Sequence, residues 1–183
     1  VKTGFSVQEL NTRLQNEVNP LTAEKPTWGK FRDGDRVIVT QNNAYYNICN
    51  GDVGVLHIRG EKPHRVAALA VRGTLKTWQI DRGQGEYGIG HDDAPPPQLA
   101  LAYALTVHKS QGSQYDTVLM PVSMATARML YRNLLYTAIS RAGKEVILVW
   151  SREALNTAMQ CIPYPRKSKL VARTNLLRLG RSA

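Results

Sequence analysis

Acidic side chains are scarce in this chain. Fourteen Asp and Glu stand against 24 Lys and Arg among 183 residues, a formal charge of +10. The imbalance points to a polyanionic partner, nucleic acid first, with a merely soluble basic protein as the plain alternative. Cysteine is nearly absent. Cys49 and Cys161 are far apart and match no metal spacing, which excludes a disulfide framework and leaves two free thiols in a reducing, cytoplasmic setting. His57, His64 and His91 show no ligand spacing either. No apolar run approaches bilayer length and no signal peptide is visible, so no membrane partner is expected. The first residues, "VKTGFS", lack a Met, so a piece of a longer protein is expected. There is no internal repeat. What is present is a hydrophobic fraction of 43%, enough for a real core in one domain or one domain with a smaller companion.

The chain divides by period. Ser6 and Glu9 have capping-box spacing, and Val7, Leu10, Leu14 and Val18 recur at helical intervals, predicting a core-facing helix that Asn19-Pro20 stops. Residues 21–34 read as a polar connector. "DRVIVTQ", "DVGVLHIR", "HRVAALAV" and "TLKTWQID" read as strands, with "NGD" at 50–52 and Arg72-Gly73 as turns. Four short strands with glycine turns predict a small antiparallel barrel. A loop with three consecutive prolines spans 82–98.

After Pro97 the pattern becomes α/β. "LALAYAL", "DTVLMPV" and "EVILVW" read as strands buried on both faces. Residues 128–141 carry an apolar helical stripe of Tyr131, Leu134, Leu135, Ala138 and Ile139, with Gly143 placed as the C-cap. "SREALNTAM" begins another helix capped by Ser151. This succession predicts an open sheet with helices on its faces.

A polar corner, residues 106–112, interrupts that pattern at a strand's carboxyl end, where ligands of open α/β sheets collect. Thr106 is placed to cap one helical turn, whose free N–H groups and Ser110 hydroxyl suit a phosphate oxygen. Lys109 and His108 add donors, and Gly112 permits a positive φ or a close backbone approach. A plain connection needing a cap and a glycine explains the same residues equally well.

Longer stretches carry a family signal. "AYALTVHKSQGSQYDTVLMPV" resembles motif V of superfamily 1 DNA helicases of the RecD-like branch, and "RNLLYTAISRAGKEVILV" resembles motif VI of that branch. "FRDGDRVIVTQNNAYYNICNGDVGVL" is similar to the start of the branch's small SH3-like inserted domain. "GFSVQELNTRLQNEVNP" is similar to the segment after motif IV, and "ARTNLLRL" to the family's C-terminus.

The resemblance implies an α/β fold: a RecA-like second motor domain over 1–29 and 98–160, an SH3-like antiparallel β-barrel inserted at 30–97, and a basic tail at 161–183. It implies the C-terminal part of an ATP-dependent helicase related to the exodeoxyribonuclease V alpha subunit, moving 5′-to-3′ on single-stranded DNA. The phosphate-binding loop and the Mg²⁺ carboxylates would lie in a first RecA-like domain. No G-x-x-x-x-G-K-[S/T] occurs here, so the chain alone is expected not to turn over ATP. Other exonuclease subunits are implied as partners. The absence of a carboxylate cluster argues against nuclease chemistry. A non-catalytic DNA-binding or assembly module and the helicase part of a conjugative relaxase remain as alternatives.

The same resemblance assigns Arg141 as the arginine finger reaching an ATP γ-phosphate, a role worth about 10³–10⁵ in rate. By spacing, Asn133, Thr137 and Arg141 lie off the apolar stripe, and a basic residue in a helix's last turn also offsets its dipole, for about 0.3–1 kcal/mol. Thr106, His108, Lys109 and Ser110 would contact the DNA backbone or couple that contact to nucleotide. His108 as a structural histidine is the competing reading. Gly112 and Gln114 fall on the nucleotide side, where the family carries Glu in place of Gln114 and Phe in place of Tyr115. Asn43 and Tyr45 sit in a polar-aromatic loop (with Asn42 and Tyr46) that suits base stacking or simple turn formation.

Overall fold

A computed structural model describes residues 6–62, 65–71, 73–80, 95–124 and 131–161. Residues 82–94 of the loop expected over 82–98, residues 128–130 of the helix expected over 128–141, residues 162–183 of the tail, Arg72, His64 and His91 lie outside them. The chain forms two compact units that divide between Gly112 and Ser113.

The first unit begins with helix α1, Val7–Val18. Ser6 Oγ accepts from the Glu9 N–H at 3.1 Å, as the capping-box spacing predicts. The docked face differs from expectation. Val18 is 67% exposed, while Asn11, Gln15 and Asn19, at i, i+4 and i+8, are buried. The reason is the fully buried Asp35 carboxylate, which draws amide donors toward it because a buried charge is tolerated only when hydrogen-bonded.

The stretch read as a connector contains a two-rung hairpin, β1 Thr27–Trp28 and β2 Phe31–Arg32. Trp28 and Phe31, with ring centroids 5.8 Å apart, contribute to the core. The four expected strands form as β3 Asp35–Val39, β4 Val53–Arg59, β5 Val66–Val71 and β6 Thr74–Gln79. They join β7, Leu99–Leu101, in one antiparallel sheet of order β6-β5-β4-β3-β7. "LALAYAL" is thus corrected: only three of its residues form a strand, half-buried and antiparallel to β3, with Ile38 opposite Ala100. A continuous apolar run cannot distinguish a strand of a parallel sheet from an antiparallel strand under partial cover. Val37, Val39, Leu56, Ile58, Leu69 and Trp78 centre the core. Gly54 is required by close approach: a Cβ there would meet the Ala70 carbonyl oxygen at 2.2 Å.

Among the described residues the second unit contains β8 Tyr115–Val122, α2 Arg132–Ile139, β9 Ala142–Trp150 and α3 Arg152–Gln160. β8 and β9 are parallel, with Leu119 opposite Ile147 and Pro121 opposite Val149. Met120 and Val122 are buried, as are Leu134, Leu135 and Ala138 of α2 and Ala154 and Ala158 of α3. Ile139 of the expected stripe is exposed. Leu119 and Val149 are 65% and 60% exposed, so among the described residues these strands are covered on one face, not two. Ser151 caps α3, accepting from the Ala154 N–H at 3.3 Å. The C-cap of α2 is Ser140 in αR geometry, not Gly143, because the chain is already extended from Ala142. Among the described residues no helix is long and apolar enough to cross a membrane.

Candidate functional site

The polar corner belongs to the first unit and is held from its entry side. Asn11 grips Ala104 twice: its Nδ2 donates to the Ala104 carbonyl at 2.8 Å, and its Oδ1 accepts from the Ala104 N–H at 3.0 Å. The preceding residue, Tyr103, donates its hydroxyl to Asp35 Oδ1 at 2.9 Å. Burial first, then the hydrogen bond and charge of Asp35, push the Tyr103 phenol above its ordinary pKa, so it remains a donor. Asp35 also accepts from Asn19 Nδ2 at 2.7 Å, Gln15 Nε2 at 2.6 Å and the Arg32 N–H at 2.8 Å. Both carboxylate oxygens are doubly occupied. The Arg32 guanidinium instead caps the end of α1, donating to the Asn19 carbonyl at 2.8 Å and Asn16 Oδ1 at 2.7 Å.

Two residues beyond Ala104 the corner turns. Thr106 Oγ1 accepts from the Lys109 N–H at 3.2 Å, the cap expected of it, and the Thr106 carbonyl accepts from the Ser110 N–H at 3.1 Å. Gly112 adopts φ +86°. The Ser110 hydroxyl differs from expectation: it donates to the Val107 carbonyl at 2.8 Å, so its proton is engaged within the turn. The side chains of His108 and Lys109 are exposed and make no hydrogen bond among the described residues, which is not the setting of a satisfied structural histidine. The corner therefore presents an ammonium and an imidazole on a capped turn, a suitable surface for a phosphate backbone.

Asn43 and Tyr45 lie elsewhere in this unit. Asn43 Oδ1 accepts from the Tyr45 and Tyr46 N–H groups at 3.1 and 3.3 Å, and its Nδ2 donates to the Pro95 carbonyl at 3.3 Å. Its amide is engaged in shaping the loop. Tyr45, 50% exposed, stands edge-on to Tyr46 at 5.1 Å, and Tyr46 lies 5.9 Å from Trp78. The exposed ring is braced by the aromatic core.

In the second unit Arg141 follows α2 in the turn to β9. It is half-buried, and its nitrogens reach three oxygens at long range: the Thr137 carbonyl at 3.3 Å, the Ser113 carbonyl at 3.4 Å and Ser140 Oγ at 3.4 Å. Among the described residues no carboxylate pairs with it. Asn133 is exposed and Thr137 half-buried, its hydroxyl turned back to the Asn133 carbonyl at 2.7 Å. Gln114 is exposed, with its amide above Gly143: a Cβ at Gly143 would come 3.3 Å from Nε2. Among the described residues no three His, Cys, Asp or Glu side chains gather as a metal cluster would.

The hub of Asn11, Gln15, Asn19 and Asp35 escapes the sequence reading. The only trace of it in the sequence is the four-residue spacing of Asn11, Gln15 and Asn19, beside which the apolar residues of the same helix offer a competing face.

Comparison with known proteins follows the same lines. Residues 101–149 match the UvrD-like helicase C-terminal domain family. The RecBCD enzyme subunit RecD of Mycobacterium tuberculosis H37Rv is 32% identical over 149 residues, 81% of this chain and 23% of that protein. The ATP-dependent RecD2 DNA helicase of Deinococcus radiodurans is 32% identical over 170 residues, 86% of this chain and 22% of that protein. The chain spans less than a quarter of the length of these relatives. The crystal structure of Bacteroides Pif1 bound to ssDNA superposes with a TM-score of 0.52 at 18% identity, over 95% of this chain and 44% of that one, a likeness of fold. The chain belongs with the RecD-like superfamily 1 helicases, and the part of them that it matches is C-terminal.

Proposed function

We propose that this chain is motor-domain machinery of an ATP-dependent DNA helicase, working 5′-to-3′ on single-stranded DNA together with a first RecA-like domain that binds ATP and Mg²⁺. In this reading the antiparallel sheet corresponds to the SH3-like insertion, and the β8-α2-β9-α3 unit to part of the second RecA-like domain. Lys109, His108 and the Thr106-capped turn hold DNA phosphates without regard to sequence, as a translocase requires. Tyr45 offers a stacking face to a base. Arg141 supplies positive charge to the γ-phosphate, and Gln114, an amide beside Gly143, faces nucleotide without a charge of its own. Partnership with exonuclease subunits belongs to the same proposal.

The observation that carries it is the Arg141 guanidinium, half-buried, held only by long contacts to neutral oxygens, with no carboxylate among the described residues. A guanidinium suits a carboxylate or a phosphate as partner, and one without a carboxylate keeps its donors available to a phosphate. The contact to the Thr137 carbonyl favours a second reading, a helix-end cap. The two separate in the longer protein that includes the phosphate-binding domain. Arg141→Ala should lower DNA-stimulated ATP hydrolysis by about 10³-fold or more, with oligothymidine binding little changed. Retained turnover would leave only the cap. Binding of oligothymidine by the chain itself should fall steeply with salt, and a salt-independent affinity would contradict a phosphate grip.

A further inference from the structure

Asp35 is fully buried, and the proposed function gives it no role. Its four hydrogen bonds gather three segments: α1 through Gln15 and Asn19, the β2–β3 turn through the Arg32 N–H, and the approach to the corner through Tyr103. Asn11, one turn earlier on the same face of α1, adds two bonds to Ala104. Two consecutive residues, 103 and 104, are therefore clamped just before the turn that presents His108 and Lys109. Downstream of that clamp, among the described residues, the corner is held only by short-range bonds of its own, Lys109 to Thr106, Ser110 to Thr106 and Val107, and Gln111 to His108. Such a turn can keep its internal shape and still swing as a body. What fixes its direction is the attachment at its base.

We propose that Asn11 and Asp35, the latter through Tyr103, are positioning residues that aim the corner 106–112 at the DNA phosphates. The clamp uses amides and a carboxylate where an apolar contact would also bury area, because directional bonds define an orientation and apolar contacts tolerate sliding. Its purpose rests on the reading of the corner as a DNA contact. The geometry of the clamp does not.

The test uses the chain itself, fluorescein-labelled oligothymidine, and hydrogen exchange of the segment 105–112. Asp35→Asn places an amide among four donors and risks unfolding, so Asn11→Ala and Tyr103→Phe are the informative variants. Each should weaken oligothymidine binding by about three- to tenfold, the factor one net hydrogen bond represents. Each should also speed exchange in 105–112 while leaving 53–59 and 66–71 protected. With Lys109 mis-aimed, the slope of log K against log salt should shrink by about 0.7 per phosphate lost. A purely structural role would lower the melting temperature without moving that slope in the cold. Lys109→Ala is the reference. If it weakens binding while Asn11→Ala and Tyr103→Phe bind and exchange like the parent, the clamp does not position the corner. If Lys109→Ala itself binds like the parent, the DNA reading of the corner fails, and with it the purpose assigned to the clamp.

Discussion

Leu56 of β4 and Leu119 of β8 are both mid-strand leucines, yet the first is 0% and the second 65% exposed. The sheet around Leu56 closes its core from its own strands, the β1–β2 hairpin and the aromatic set of Trp28, Phe31, Tyr46 and Trp78. The β8–β9 pair buries one face, while Leu119, Ile147 and Val149 stand in a row on the other. Antiparallel sheets tolerate one solvated face, whereas parallel pairs are normally covered on both. Apolar sequence of equal quality thus yields a self-sufficient core in one unit and half of one in the other. The sharpest way to break this contrast is truncation. Leu56→Ala should cost about 2–5 kcal/mol, the transfer and cavity terms together. Leu119→Ala should stay within about 0.5 kcal/mol, as at exposed sites generally. Urea unfolding with hydrogen exchange read separately over 53–59 and 115–122 resolves the two. An equal cost at Leu119 would show its face to be covered in solution.

The sequence conveyed elements better than their company. The Ser6 and Ser151 caps, the four strands of the antiparallel sheet, and the α2 stripe of Leu134, Leu135 and Ala138 are local properties, written in neighbouring residues. The pairing of Leu99–Leu101 with β3 is a contact across some sixty residues, and periodicity holds no record of it. The same limit applied to the site. The Thr106 cap and the positive φ of Gly112 were legible because the turn makes them itself. The Asn11 clamp was not, because its meaning depends on Asp35 and Ala104 arriving from elsewhere.

Among the described residues each unit also holds one buried polar atom without a hydrogen-bond partner, Trp78 Nε1 in the first and Tyr115 Oη in the second. The indole belongs to a ring that fills the core and cannot be deleted cleanly. The phenol can. Tyr115→Phe keeps the ring and removes the unpaired hydroxyl, and the resembling family carries Phe there. Since an unsatisfied buried group costs about 1–3 kcal/mol, the substitution should stabilise the second unit by about 1 kcal/mol, read as slower exchange in 115–122. Loss of stability would mean that the hydroxyl finds a partner in solution.

The smallest effect separates the units by acid. Asp33, in the turn before β3, accepts from the Ile58 N–H at 2.8 Å and from Arg59 Nη1 at 2.9 Å, with His57 Nδ1 at 3.7 Å. Burial alone would raise its pKa. The Ile58 bond, the Arg59 guanidinium and His57 together outweigh burial and hold the carboxyl below its ordinary value. The folded state therefore releases this proton more readily than the unfolded chain. Its contribution is complete above the unfolded carboxylate pKa of about 3.9 and is lost as pH falls through the lower folded value. Asp33→Asn should thus lower the melting temperature of the sheet unit at pH 7, and the gap from the parent should narrow toward pH 3. Asp116, paired with Lys144 at 2.7 Å but with both side chains largely in solvent, is the control. Asp116→Asn should move the melting temperature little at either pH, because solvent screens the pair. A gap at Asp33 that held constant from pH 7 to pH 3 would assign its role to the neutral Ile58 hydrogen bond, and the acid response of the sheet would then come from other carboxylates.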